Sequence, residues 1–234
     1  MNNMEILSHV QVTNSNSELT GIAELLRLRK LGVDLRGKNA KLSDLFCQIE
    51  QLHRRLRYLS VRLDQPARLH ISGLTSGLPQ MIRQFRYLVK LSLTEAYLKE
   101  DGLCILGRLP GLRCLRLLHQ SYIQSGLSFK EEEFQALNFL LVGTSDVSSI
   151  TFSNGAAPKL ERIIWSFFPT TARVSGIHHL PELREFVLNG DCNPDEVIQE
   201  IELHPNLPVF KHNPNVQRQE DIAAAASTSS ASAP

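Results

Sequence analysis

Apolar residues recur along this chain at a fixed spacing of one, four and six: Leu88, Leu91 and Leu93, then Leu112, Leu115 and Leu117, then Leu183, Phe186 and Leu188. In an extended strand alternate residues face the same way, so positions four and six share one face and the residues between them point away from it. A single strand of this kind cannot bury its apolar face. Repeated at a near-constant interval, it constrains the chain to a stack of parallel strands with one continuous core and one long opposite surface.

Looser copies begin at Leu7, Leu28, Leu56, Leu137 and Leu160, so successive motifs start at 7, 28, 56, 88, 112, 137, 160 and 183. The intervals fall mostly within the roughly 20 to 29 residues of a leucine-rich repeat. The expected fold is therefore an α/β leucine-rich-repeat solenoid, with a parallel sheet on the concave face and short helices and irregular returns on the convex one. The long interval from 56 to 88 carries its own alternation at Leu69 and Ile71, and a supernumerary strand is also expected around Val147, Ile150 and Phe152. Residues 1–216 form the repeat domain, about 8 repeats, and residues 217–234 form an Ala/Ser-rich tail in which disorder is expected.

Two returns have helical periodicity: Leu19, Ile22, Leu25, Leu26 and Leu28, and Leu42, Leu45, Phe46, Ile49 and Leu52. Glu131, Glu132 and Glu133, ahead of Phe134 and Leu137, suggest the acidic first turn of a third. Pro110, Pro158 and Pro181 mark turns into the following strands. The ninth motif position, where regular repeats carry a ladder of Asn, holds Arg36, Asp64, Ala96, Gln120, Ser145, Phe168 and Asp191. An irregular solenoid without that ladder is expected.

No charged-then-apolar leader and no run of about 18 apolar residues is visible, so the chain is expected to be cytoplasmic, with no membrane span. Cys47, Cys104, Cys114 and Cys192 are scattered and read as free thiols, and no Asn heads a glycan acceptor triplet, which favours the same compartment. Net charge is +1, but residues 1–120 carry 18 Lys and Arg against 10 Asp and Glu, while residues 121–234 carry 7 against 14. The basic half is suited to an acidic surface. With so small an overall charge and an acidic second half, the chain is a poor nucleic-acid binder.

Chemistry finds little support. His178 and His179 are adjacent, so on an extended segment they point opposite ways, and Cys192, His204 and His212 fit no compact zinc spacing. No nucleophile elbow or catalytic Cys signature occurs. No catalytic, cofactor-binding or metal-binding residue is assigned, and the chain is not expected to be an enzyme. Trp165 occupies position six and is expected in the core.

Four stretches, beginning Leu28-Arg-Lys-Leu, Leu109-Pro-Gly-Leu, Gly155-Ala-Ala-Pro-Lys-Leu-Glu and Leu180-Pro-Glu-Leu, resemble the leucine-rich-repeat region of plant, grass-type, coiled-coil nucleotide-binding disease resistance proteins, over roughly residues 4 to 216. The resemblance implies a role in innate immunity: sensing a pathogen effector or guarded host protein, and restraining a nucleotide-binding switch domain. The coiled-coil and switch domains are not within this sequence, which has no phosphate-cradling Gly-x-x-x-x-Gly-Lys-Ser/Thr. The alternatives are a leucine-rich-repeat adaptor, whose F-box helices are likewise not found, or a truncated decoy binding module.

Positions two, three and five of each motif face away from the leucine core. They supply the candidate protein-binding residues: Arg29, Lys30, Arg57, Tyr58, Lys90, Arg113 and Arg116 on the early strands, and Phe139, Leu141 and Ile164 on the later ones. The basic stripe is expected to dock on the switch domain, and the exposed apolar residues to contact the recognised protein.

Overall fold

A computed structural model describes residues 4–13, 20–25, 27–36, 42–64, 80–166 and 172–214. Nine strands form one parallel sheet: β1 (Ile6–Val12), β2 (Lys30–Arg36), β3 (Tyr58–Asp64), β4 (Lys90–Thr94), β5 (Cys114–Leu118), β7 (Phe139–Gly143), β9 (Arg162–Ser166), β11 (Glu185–Asn189) and β12 (Val209–Asn213), in that spatial order. The motif residues set the register. Position four runs as Leu31, Leu59, Leu91, Leu115, Leu140, Ile163, Phe186 and Phe210, and position six as Val33, Val61, Leu93, Leu117, Val142, Trp165, Leu188 and His212. Most of these side chains are buried and join one core that extends from Val12 to Ile201.

Two strand assignments shift. β1 pairs Leu7 with Leu31, so Leu7 holds position four rather than one, and a bulge follows before Val10 meets Val33. His9 carries that bulge with φ 59. At the other end β12 adds a ninth strand beyond the motif at 183; its core position six is His212, which is why apolar spacing alone does not reveal it.

The returns differ more. The expected first helix is restricted to Thr20–Ala23 within the described residues, whereas Leu42–Gln48 followed by a 3-10 turn at Glu50–Leu52 matches the second. Phe46 from that return meets Phe85 of the next at 5.9 Å, edge to face. Further helices span Glu100–Gly107 and Asp195–Glu202. The strand expected near Val147 exists as β8 (Ser149–Phe152), but it belongs to a second parallel sheet with β6 (Gly126–Phe129) and β10 (Arg173–Ser175). The alternation expected at Leu69 and Ile71, and the tail from 217, lie outside the described residues.

Glu131 to Glu133 do not start a helix. Phe129 stacks on Phe152 at 4.8 Å and meets Phe134 at 5.0 Å, and this aromatic cluster holds the chain in a turn with Glu132 and Phe134 at φ 62 and 57. The turn is bonded into both neighbouring returns: the Phe134 N–H donates to the Gly107 carbonyl at 2.7 Å and the Ala157 N–H to that of Glu133 at 3.0 Å. Glu133 is itself buried, its carboxylate accepting from the Lys130 N–H at 3.2 Å. Burial, and then the hydrogen bond to Glu133, hold the nearby Cys104 thiol above its ordinary pKa. All four cysteines are free.

The Asn ladder is missing at position nine, but a short polar ladder stands at position seven of the last repeats. Asn213 Nδ2 donates to Asn189 Oδ1 at 2.9 Å, and Asn189 Nδ2 to Ser166 Oγ at 3.2 Å. These bonds satisfy side chains in a partly desolvated row, where an unpaired amide is costly.

Gly176 joins β10 to the 3-10 turn Ile177–His179 at φ +75, and a Cβ there would run into the Phe152 carbonyl oxygen of β8. Both the left-handed backbone and the contact exclude a side chain. Gly176→Ala is expected to lower stability by at least ~1–3 kcal/mol, read from the urea midpoint. An unchanged midpoint would mean the second sheet is not packed as described.

Candidate recognition surface

On the side of the nine-stranded sheet away from the core, the register builds columns of side chains spaced by the inter-strand distance of ~4.8 Å. Position three reads Lys30, Tyr58, Lys90, Cys114, Phe139, Arg162, Glu185 and Val209. Position five reads Gly32, Ser60, Ser92, Arg116, Leu141, Ile164, Val187 and Lys211. Position two is placed by a repeated backbone bond: the carbonyls of Arg29, Arg57, Val89 and Arg113 each accept two N–H groups from the following repeat, at 2.8–3.0 Å.

Seven of the ten candidate residues, at positions three and five, share this face in two groups, and the three at position two, Arg29, Arg57 and Arg113, immediately precede their strands at its edge. Lys30, Tyr58 and Lys90 are consecutive in one column, with Arg29 and Arg57 beside them and Arg113 two strands beyond Arg57. Arg29, Lys30, Tyr58 and Arg113 are exposed, whereas Arg57, Lys90 and Arg116 are half-buried. Arg57 lies 4.9 Å from the Tyr87 ring centroid and donates to the Tyr87 carbonyl at 3.3 Å, which fixes its guanidinium. Lys90 is held below the ordinary lysine range, first by burial and then by the Arg116 charge. The half-exposed Cys114 thiol is pushed up by burial, outweighing the adjacent Lys90 and Arg116, so it has little thiolate character.

The second group departs from expectation. Leu141 and Ile164 face away from the main core as the motif requires, but they are 1% and 3% exposed. With Val187 they form a second, small apolar cluster, flanked by Leu118 and Phe139. Consecutive apolar residues in one column are close enough to cover one another, so the expected exposed apolar patch is instead packed. Arg116 caps its near end, 5.6 Å from the Phe139 ring centroid.

Outward residues outside the ten candidates decide the electrostatics of the later repeats. Glu185 accepts from Lys211 and forms an ion pair with Arg162, each at 2.6 Å, and Glu161 meets Arg184 at 3.7 Å. Alternating signs at one position in adjacent repeats is the only sequence signal for such a network. Its consequence is a face whose charges are internally neutralised over β9 to β12 but remain positive over β2 to β5.

The histidines serve packing. His204 is buried: its Nδ1 accepts from the Asn206 N–H at 3.0 Å, so Nε2 carries the proton and donates to the Leu180 carbonyl at 3.0 Å. His212 Nε2 lies 3.0 Å from the Gly190 carbonyl. His178 and His179 do not point opposite ways, because the segment is a 3-10 turn rather than extended; their ring centroids are 4.0 Å apart. Among the described residues no group of three or more His, Cys, Asp and Glu is placed to hold a metal ion. No described helix is long and apolar enough to cross a membrane.

With the repeat register and both columns in view, comparison with known families is decisive: a family described as leucine-rich repeat region matches residues 1–210. Repeats of this kind are protein-interaction folds. No curated protein matches the chain.

Proposed function

We propose that this chain, which belongs to the leucine-rich repeat region family, is the recognition domain of a plant innate immune receptor and acts in the cytoplasm in plant defence. Its outward sheet face binds protein partners: the basic columns of β2 to β5 dock on a nucleotide-binding switch domain, and the later strands meet a pathogen effector or a guarded host protein. The observation that carries this reading is the charge division of the face, with Arg29, Lys30, Lys90 and Arg113 at one end and the Arg162, Glu185 and Lys211 network at the other. A positive field over one end steers and orients an acidic partner, while the neutralised end presents shape and polar contacts.

A direct test titrates the purified chain with a separately produced nucleotide-binding domain from a receptor of this class. Saturable binding that weakens as salt rises is expected. A folded chain with no affinity for that domain, alone or with effector present, would reject the receptor assignment and favour an independent binding module.

A further inference from the structure

Two grooves open at the edge of the sheet where the strands begin, on the turns that deliver the chain into β2, β3 and β4. One, of about 530 Å³, is lined by Glu5, Arg27, Arg29, Arg54, Arg55 and Arg57. The other, of about 610 Å³, is lined by His53, Arg54, Arg83, Gln84, Arg86 and Tyr87. Arg54 lines both, and Arg57 is fixed over Tyr87 between them.

The repeat explains the crowding. The residue before the first leucine of successive motifs is Arg27, Arg55 and Tyr87, and the one before that is Arg54 and then Arg86, so the stacking that aligns the core aligns the guanidinium groups too. Among the described lining residues Glu5 is the single acid, and its pair with Arg29 is long at 3.9 Å and largely exposed. Like charges gathered at strand spacing repel, and an anion that spans them relieves the repulsion. Among the described lining residues the cationic side chains are Arg, with no Lys, and the planar forked guanidinium matches phosphate oxygens two at a time where an ammonium cannot.

We infer that this pair of grooves binds a compact soluble polyphosphate, a molecule carrying several phosphate groups within ~10 Å, about two strand spacings. Both volumes suit a small ligand. Arg29 and Arg57 are shared with the recognition surface, but Arg54, Arg83 and Arg86 belong to the turns before the strands and are not among its candidates, so the inference goes beyond the recognition reading and is tested on residues outside it.

The test is calorimetric titration of the full chain with inorganic tripolyphosphate, beside orthophosphate and vesicles carrying bisphosphorylated phosphatidylinositol. Expected is saturable binding of tripolyphosphate, at least ~10-fold tighter than orthophosphate, with Arg54→Gln and Arg86→Gln each weakening it by ~10-fold. Arg113→Gln, exposed and not among the described lining residues of either groove, should change it by less than ~2-fold. These variants alter exposed side chains, and circular dichroism verifies their folding. Equal losses with Arg113→Gln would mean diffuse charge and no site. Absence of saturable tripolyphosphate binding, or binding to the vesicles alone, would equally overturn the inference.

Discussion

Trp165→Ala should cost ~3–5 kcal/mol of stability, the largest loss expected from any single substitution in this chain. Trp165 is the sole tryptophan, it is fully buried at position six of β9, and it is opposed in register by Val142 on one side and Leu188 on the other. Each repeat of a solenoid is stabilised chiefly by its two neighbours, so a cavity at this point weakens two interfaces at once. Against a total stability of ~5–15 kcal/mol, such a loss lowers the melting temperature by roughly 10 °C or more. Trp165→Phe keeps most of the volume and should lose markedly less. The wild-type indole should also emit as a buried chromophore until the chain unfolds. A Trp165→Ala loss below ~1 kcal/mol would contradict the stacking of β7, β9 and β11.

Reversing Arg57, Arg113 and Arg116 together to Glu should lower affinity for the nucleotide-binding domain by ~100-fold or more at low salt. The three changes take the net charge from +1 to −5 and turn the attractive end of the face repulsive. Loss should appear mainly in the association rate and shrink as salt is raised, because Arg113 is exposed and screened. Arg57 and Arg116 also rest on Tyr87 and Phe139, so Arg113→Glu alone provides the control without an aromatic contact. Undiminished affinity in the triple variant would remove the basic stripe from the interface. The measurement is surface plasmon resonance across a salt series.

The repeating strands of this molecule were readable in its sequence, and the returns between them only in part: the helix Leu42–Gln48 and the strand β8 were, the turn at Glu131 to Glu133 was not. Positions four and six identify eight of the nine strands of the main sheet, because a buried parallel stack demands an apolar residue at each of them. The ninth escapes because His212 takes position six and satisfies its ring on the Gly190 carbonyl. Returns carry no such constraint: Glu131 to Glu133 look like a helix start, yet contacts of Phe129 with Phe134 and with Phe152, the latter distant in sequence, select a turn with a buried carboxylate.

The face shows the same division. The column assignments of Lys30, Tyr58 and Arg116 follow from spacing alone. Exposure does not, because it depends on neighbours in the column: Leu141 and Ile164 are covered by each other and by Val187. Cross-strand pairing likewise makes Glu185 the partner of Arg162 and Lys211, residues 23 and 26 positions away.

Hydroxyl-radical footprinting of the chain with and without its bound nucleotide-binding domain tests the central claim most directly, since it reports which side chains a partner covers. Tyr58, 45% exposed on the outward face, should be protected, while Ile123 on the return side and Leu203 after the last helix, 38% and 74% exposed, should react as in the free chain. Protection of Ile123 with Tyr58 still fully reactive would place recognition on the return side and contradict the account.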